Sequence, residues 1–451
     1  MAAIYTDKLT NGVFWVEIKD ADLRLLCGCP ADSVKYLIRR KHIRSLNNAG
    51  VPTQIGPNAL LLADTPLQNG FLSNLGEFPV MHMLYFQGIS VPGHPNYGKK
   101  RVIIGTSGQI ETQLNYMYVG NYGIVDKDLL DKICPSPEFA SQLLDTKKRF
   151  AHGSFKDYKE FLRTCIIDSD VPAEIVPGVS IRRQSVNVFE IRYKEETCIV
   201  DMNLKPGQVY EPTYQLPEVN IPAGKFVIIN TGLGDGWDPN RTCFSSMVRF
   251  DGRYYLVDVG PNIRYVMKSF GFAPEDIAGI IQTHIHDDHF GGYDFFWNSN
   301  QPVQIYSTAP VIASMRHGYT PTRKVQATST RAVMMPPAMG ISYVYFTLKN
   351  LEAEDLRLVS VQSDMASQTI ISRAASSGEG KNASPQEVSE VIIPANGIFE
   401  FKPGGYYVVL KNPNSKLQSG QTINIILMFD NDEFLPVTAR IQPAAFSGFR
   451  L

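Results

Sequence analysis

The sequence predicts an α+β protein of more than one domain, and three observations carry that reading. At 451 residues the chain is longer than one hydrophobic core normally organises. Residues 126–166 place apolar side chains at three- and four-residue spacing, whereas 179–283 alternate short β-branched runs with a helical stretch at 262–270. From about 326 onward, short strands are separated by Gly, Pro and Asn turns, the mark of an all-β sandwich. The boundaries that follow are a mixed α/β region of unknown role over 1–175, a domain over 176–325, and a β-sandwich over 326–451. Pro321–Arg331, rich in Thr, Ser and basic residues, is the linker candidate.

In chain order, Leu25-Leu26-Cys27-Gly28-Cys29-Pro30 leads into a helix over Asp32–Arg40 with Asp32 as its cap. Cys27 and Cys29 read as two small buried thiols, because C-x-C without a second pair is a weak metal signal. His82 is expected to be packed, and His94, in the turn Pro92–Gly98, is the better outside candidate for contact with metal or substrate. Lys127–Ile133, Glu138–Phe150 and Phe155–Cys165 read as helices. Strands follow at Val179–Arg183, Val186–Arg192 and Thr197–Met202, then a Pro-rich connection over Lys205–Gly224 and a strand at Lys225–Asn230. No internal repeat stands out.

The chemistry concentrates in Thr283-His284-Ile285-His286-Asp287-Asp288-His289-Phe290-Gly291-Gly292, which holds three of the chain's eight histidines. Imidazoles and carboxylates packed this closely are poor core material and good ligands for a divalent cation. The preceding Ile277–Gln282 reads as a short buried strand, and the glycine pair as a turn into a helix. Side chains two apart on extended chain share a face, so His284 and His286 aim together; the next turn brings Asp288 and His289 toward the same point.

This H-x-H-x-D-H pattern resembles the signature of the metallo-β-lactamase-fold hydrolases, and the resemblance runs from about 180 to 320. Arg253–Gly260, a strand ending in Asp258 and a glycine, is similar to the family's corresponding strand. Asn230–Gly236 resembles the glycine-rich opening of the phosphodiesterase-like branches. The resemblance implies an αββα unit with one or two Zn2+ ions. His284 and His286 would serve a first ion, Asp288 and His289 a second, with Asp288 also the candidate catalytic residue and Asp258 orienting a ligand. The implied reaction is hydrolysis of a small-molecule ester, thioester, amide or phosphodiester by metal-activated water. The family's second half, which supplies further histidines and a bridging aspartate, has no counterpart after His289: only His317 remains, and it is expected to cap the helix around Val311–Arg316. The domain is therefore expected to be partial, with its open face covered by the sandwich, the amino-terminal region or a second subunit.

The strands after 326, among them Ile341–Asn350, Phe399–Leu410, Ile423–Phe429 and Val437–Ile441, resemble the periplasmic copper chaperones of the PCuAC type, a cupredoxin-like fold. That family's H-x-M pair falls on Tyr407 and Val409, and its earlier histidine near Ile371 or Ser372. None offers a soft donor to Cu(I), and Met365 and Met428 read as core filling. Copper is not expected, and the module's use is docking or spacing.

The net charge of −1 gives no reason to expect nucleic acid or an anionic membrane as partner. Met1–Lys8 has no apolar export core, no stretch is long enough to span a bilayer, and the scattered cysteines fit reduced thiols. The expected location is cytoplasmic, with the periplasm as the alternative that the carboxyl-terminal resemblance implies. Two functions stay open: a metal-dependent hydrolase, and a catalytically inactive structural or interaction protein working in a homo-oligomer or larger assembly.

Overall fold

The computed structural model describes residues 3–48, 50–168, 171–205, 207–216, 221, 223–296, 299, 302–319, 325–335, 340–363, 366–374, 386–413, 419–420, 422–430 and 434–443. The chain forms two compact units, Met1–Leu204 with Val209–Pro321, and Lys205–Gln208 with Thr322–Leu451. Residues 1–175 and the histidine motif therefore share one unit. Among the described residues no helix is long and apolar enough to cross a membrane.

The first unit is organised by two sheets of matching topology. In one, Tyr5–Thr10, Val13–Ile18, Leu23–Cys27, Ala59–Leu61, Arg101–Gly105 and Leu162–Ile166 lie side by side in chain order, antiparallel for the first three strands and parallel thereafter. In the other, Phe226–Gly232, Ser245–Phe250, Arg253–Val257, Ile277–Ile281 and Gln304–Tyr306 follow the same order and the same switch from antiparallel to parallel. Helices occupy the same places as well: seven-residue helices Ser33–Arg39 and Ile263–Ser269 follow the third strands. Ser107–Tyr122 and Ala309–Tyr319 follow the fifth. A third, antiparallel sheet of Ala173–Val176, Val179–Ser185, Val188–Tyr193 and Glu196–Asp201 sends Ile181, Phe189 and Ile191 into a core shared with Val16, Leu25, Leu61 and Ile104.

The repeat escaped the sequence because it is written in backbone conformation. The third strand of each sheet ends in a residue of left-handed conformation, Gly28 at φ +79° and Asp258 at φ +62°. The N–H of each donates to the end of the fourth strand, Gly28 to Leu61 at 2.9 Å and Asp258 to Ile281 at 3.0 Å. Four residues later each chain enters its short helix through another left-handed residue, Asp32 and Asn262, both at φ +62°. Asp32 does not cap its helix as the sequence suggests; a residue at that φ cannot turn its carboxylate onto the first free N–H groups, and no side-chain cap bond forms. Its carboxylate instead accepts hydrogen bonds from Asn262 Nδ2 at 2.6 Å and Tyr214 Oη at 2.8 Å, with Lys35 Nζ 3.3 Å away. The two entry residues thus meet at the centre of the unit.

Two other expectations change. Phe155–Cys165 is not a helix: Tyr158–Glu160 is a single tight turn, and Leu162–Ile166 is a strand parallel to Arg101–Gly105. Tyr158, Phe161, Leu162 and Cys165 are all buried; their spacing mimics one helical face, but a turn followed by an edge strand buries the same four side chains. The linker candidate Pro321–Arg331 overlaps a strand, Val325–Met334, while 321–324 lie outside the described residues, as do Pro336-Pro337 and Met365. Cys27 and Cys29 are buried free thiols, as are Cys165 and Cys243.

The second unit is built on ten strands bonded into one continuous sheet. Its first and last long strands, Val325–Met334 and Phe434–Pro443, run parallel to each other. Val344, Phe346, Leu358, Val408, Leu410, Ile425, Leu427 and Ala439 gather in its main core, and Tyr345, Ile370, Tyr407 and Val409 in a smaller cluster.

His82 is fully buried in the first unit, its Nε2–H donating to Gln54 Oε1 at 3.1 Å and its Nδ1 accepting from Gln87 Nε2 at 3.3 Å. Burial, helped by the Arg101 cation, lowers its pKa from 6.5 to about 3. The unfolded chain takes up a proton near 6.5 that the folded chain refuses, so His82 subtracts stability as pH falls from about 6.5 toward about 3. Urea titrations across that range are expected to show a shallower acid loss for His82→Gln than for the wild type.

Candidate metal centre

The strand Ile277–Ile281 delivers the chain to the centre, and Gln282 and Thr283 fix how it leaves. Gln282 Nε2 donates to Asp258 Oδ1 and to the His289 carbonyl, both at 3.1 Å, while Tyr293 Oη donates to Gln282 Oε1 at 2.9 Å. The loop 284–286 then enters a four-residue helix, Asp287–Phe290. Two glycines permit this packing. A Cβ on Gly260 would sit 2.4 Å from the Asp288 carbonyl oxygen, and one on Gly292 would sit 2.2 Å from the Gly260 carbonyl oxygen. The strand end and the short helix therefore touch backbone to backbone.

The four motif residues and Asp258 converge. His284 lies against His286 and His289 at ring separations of 4.8 and 4.1 Å. Donor atoms of His284, His286 and Asp288 fall within 4.8 Å of one another, and so do those of Asp258, His284 and His289. Asp258 is 1% exposed; it accepts from the Thr283 N–H at 2.8 Å, from the Thr283 hydroxyl at 2.7 Å, and from His289 Nδ1 at 2.7 Å. That last bond fixes the His289 tautomer and turns Nε2 toward Asp288 Oδ2, 3.7 Å away.

Protonation favours ligation. Burial, reinforced by the neighbouring His284 and His289, lowers His286 to about 4; burial and His289 also lower His284. Both imidazoles are neutral at pH 7 and offer free lone pairs. Burial pushes Asp258 up, but the bonds from His289 and Thr283 outweigh it and its carboxyl sits below its ordinary value. Burial raises Asp288, and its Oδ1 is buried without a hydrogen-bond partner. Three imidazoles beside a carboxylate with an unused buried oxygen fit a borderline divalent ion such as zinc, which in catalytic sites takes three protein ligands and leaves a fourth position open.

Residues without a motif hold this loop from behind. Glu77, fully buried, accepts from the Asp287 N–H at 3.2 Å, and Tyr116 Oη donates to the Asp287 carboxylate. Burial raises both Glu77 and Asp287, with Asp287 and Asp288 adding to the rise of Glu77 and Asp288 adding to that of Asp287; among the described residues Glu77 Oε1 and Asp287 Oδ2 have no hydrogen-bond partner. Neither Glu77 nor Tyr116 stands near a recognisable pattern, so sequence reading had nothing to find them by. Among the described residues, neither trio of donors includes a group from the amino-terminal sheet. The matching end of that sheet has Gly28 where Asp258 stands, which removes the orienting carboxylate.

The other candidates lie elsewhere. His317 sits inside Ala309–Tyr319, rather than capping it, with Nδ1 donating to the Ala313 carbonyl at 3.0 Å. His94 is half-buried, not displayed on its turn, because its Nδ1 accepts the Asn96 N–H at 3.0 Å and draws the ring back into the loop. In the second unit, Tyr407 faces Ser372 and Val409 faces Ile370 across paired strands. Tyr345, Ile370, Tyr407 and Val409 form an apolar cluster, which contains no soft donor for Cu(I).

Comparison with known families agrees with the metallo-β-lactamase resemblance. Residues 238–354 match the metallo-beta-lactamase superfamily, and residues 324–441 match the LpqE-like lipoprotein family. No curated protein matches the chain. Solved structures similar to it include the copper-bound PCuAC domain from PmoF2, at 16% identity and TM-score 0.24, covering 27% of this chain and 94% of that one. The apo PCuAC domain from PmoF1 gives 21% identity, TM-score 0.24, and coverage of 27% and 95%. CuI-DR1885 from Deinococcus radiodurans gives 24%, 0.22, and coverage of 27% and 80%. The chain thus carries a metallo-β-lactamase superfamily domain and an LpqE-like domain. Their matches overlap at 324–354, and strand pairing assigns Ile341–Asn350 to the ten-stranded sheet.

Two outcomes are expected here. Asp258→Asn keeps the shape of the carboxylate but weakens its hold on His289, and chelator competition should show a 10- to 100-fold loss of zinc affinity. Gly292→Ala forces a methyl against the Gly260 carbonyl, and urea unfolding should show a loss of about 1–3 kcal/mol.

Proposed function

We propose that this protein is a zinc-dependent hydrolase of the metallo-β-lactamase type, with His284, His286, Asp288 and His289 as ligands and Asp258 as the residue that orients His289. The observation that carries this reading is the pair of overlapping donor trios, each within 4.8 Å, at the end of parallel strands. A bound zinc ion would supply an acidified water as nucleophile. The protein's own residues hold His284 and His286 neutral, Asp258 aims His289 while raising its pKa, and Asp288 keeps a buried carboxylate oxygen free.

In this reading the domain is not a half. The sheet of residues 5–166 is the complement of the motif sheet, related by the shared strand order and joined through Asp32 and Asn262. The face that the sequence left uncovered is then filled from the amino-terminal side, since Glu77 and Tyr116 reach the motif loop. The lipoprotein description of the family matched by 324–441 favours a location outside the cytoplasm, the periplasmic alternative rather than the cytoplasmic one.

The inactive scaffold is the second reading, favoured by the lack of any amino-terminal ligand in the donor trios among the described residues. Elemental analysis of the purified chain separates the two. The hydrolase reading expects at least one zinc per chain, reduced tenfold or more in His286→Ala; a metal-free wild type that stays metal-free after zinc incubation leaves the scaffold.

A further inference from the structure

We infer that the substrate is an ester with an extended apolar acyl chain, housed in a cavity that opens beside His284 and His286. The cavity has a volume of about 940 Å³ and is lined by both histidines together with Ile133, Phe139, Leu143, Phe150, Pro310 and Val311. That volume lies near the upper end for small-molecule sites. Its walls come from Lys127–Ile133 and Pro137–Phe150, two helices that follow the fifth strand's helix in the amino-terminal half, and from the start of Ala309–Tyr319. Among the described residues neither helix has a counterpart in the carboxyl-terminal half of the repeat. Phe139 and Phe150 are 48% and 81% exposed, an arrangement that costs free energy in water and that an apolar ligand would relieve.

The polar lining argues against a phosphodiester. Among the described residues that line the cavity there is no arginine; the basic groups outside the motif are His152 and one lysine, Lys147, which donates to the Ile124 carbonyl at 2.7 Å. An anionic phosphate would enter with little to neutralise it beyond the metal site itself. An acyl chain asks only for apolar contact along its length and for its carbonyl to reach the histidine end. The reaction is simple hydrolysis: the oxygen of water bonds to the acyl carbon, the acyl–oxygen bond breaks, and the alcohol leaves with a proton from that water. The bond cleaved rests on the hydrolase reading; the shape and chemistry of the pocket do not.

Two measurements on the full chain test this separately. With zinc supplied, kcat/KM for p-nitrophenyl esters should climb with acyl length from two to twelve carbons, by up to about fourfold per methylene. Dodecanoate binding, followed by calorimetry without added metal, should weaken at least tenfold in Phe139→Asp and in Phe150→Asp. Both side chains are solvent-exposed, and circular dichroism would verify that each variant folds. Dodecanoate bound without any ester cleaved supports the acyl pocket and removes the hydrolase. Short esters cleaved at a rate indifferent to chain length, with no dodecanoate bound, overturns the pocket and keeps the hydrolase. Dodecanoate binding untouched by either aspartate also overturns it.

Discussion

The hydrogen bond between Asp32 and Asn262 is the contact on which the first unit turns. Each residue opens the short helix after the third strand of its own sheet, in the same left-handed conformation, so the bond joins equivalent points of two similar halves. Around it Lys35, Tyr214 and Cys243 form a buried polar cluster, with Lys35 Nζ 2.8 Å from the Arg241 carbonyl and 3.3 Å from Cys243 Sγ. Lys35 is fully buried and Asp32 nearly so. Removing one of the two charges would strand the other inside, at a cost of about 3–5 kcal/mol. Such a cluster specifies how the halves meet more sharply than apolar contact alone, since only one relative placement satisfies every donor.

The division of labour between the halves follows from one backbone position. At the end of each third strand the chain must adopt a left-handed conformation, which glycine reaches without penalty and aspartate at modest cost. The amino-terminal half uses Gly28 there and gains only a turn. The carboxyl-terminal half uses Asp258, whose carboxylate then sits beneath the histidine loop and accepts from Thr283 and His289. The strain is compensated by those bonds, and the side chain it introduces orients His289, one of the candidate ligands for which the amino-terminal half has no counterpart in either donor trio among the described residues.

Much of the centre was legible in the sequence. His284, His286, Asp288, His289 and Asp258 could be picked out because ligand chemistry needs particular residue types at close spacing. The change of character near 326 was equally visible, since alternation and turn residues are local signals. What stayed hidden was non-local. The matching strand order links Leu26–Asp32 to Leu256–Asn262, segments that share a backbone path and almost no side chains. Phe155–Cys165 misled because four buried apolar residues fit a helix as well as a turn and an edge strand. Glu77 and Tyr116 carry no signature at all; only the packing of one half on the other gives them a purpose.

Glu77 and Tyr116 also impose an order on how the molecule is made. Their partner Asp287 lies far downstream, so a ribosome releases the clasp long before it releases the loop to be clasped. The early half can fold as it emerges and wait as a template, and the histidines take up their final directions only when the late half docks on it. On the hydrolase reading, capture of a cation would wait until that docking has aimed the rings.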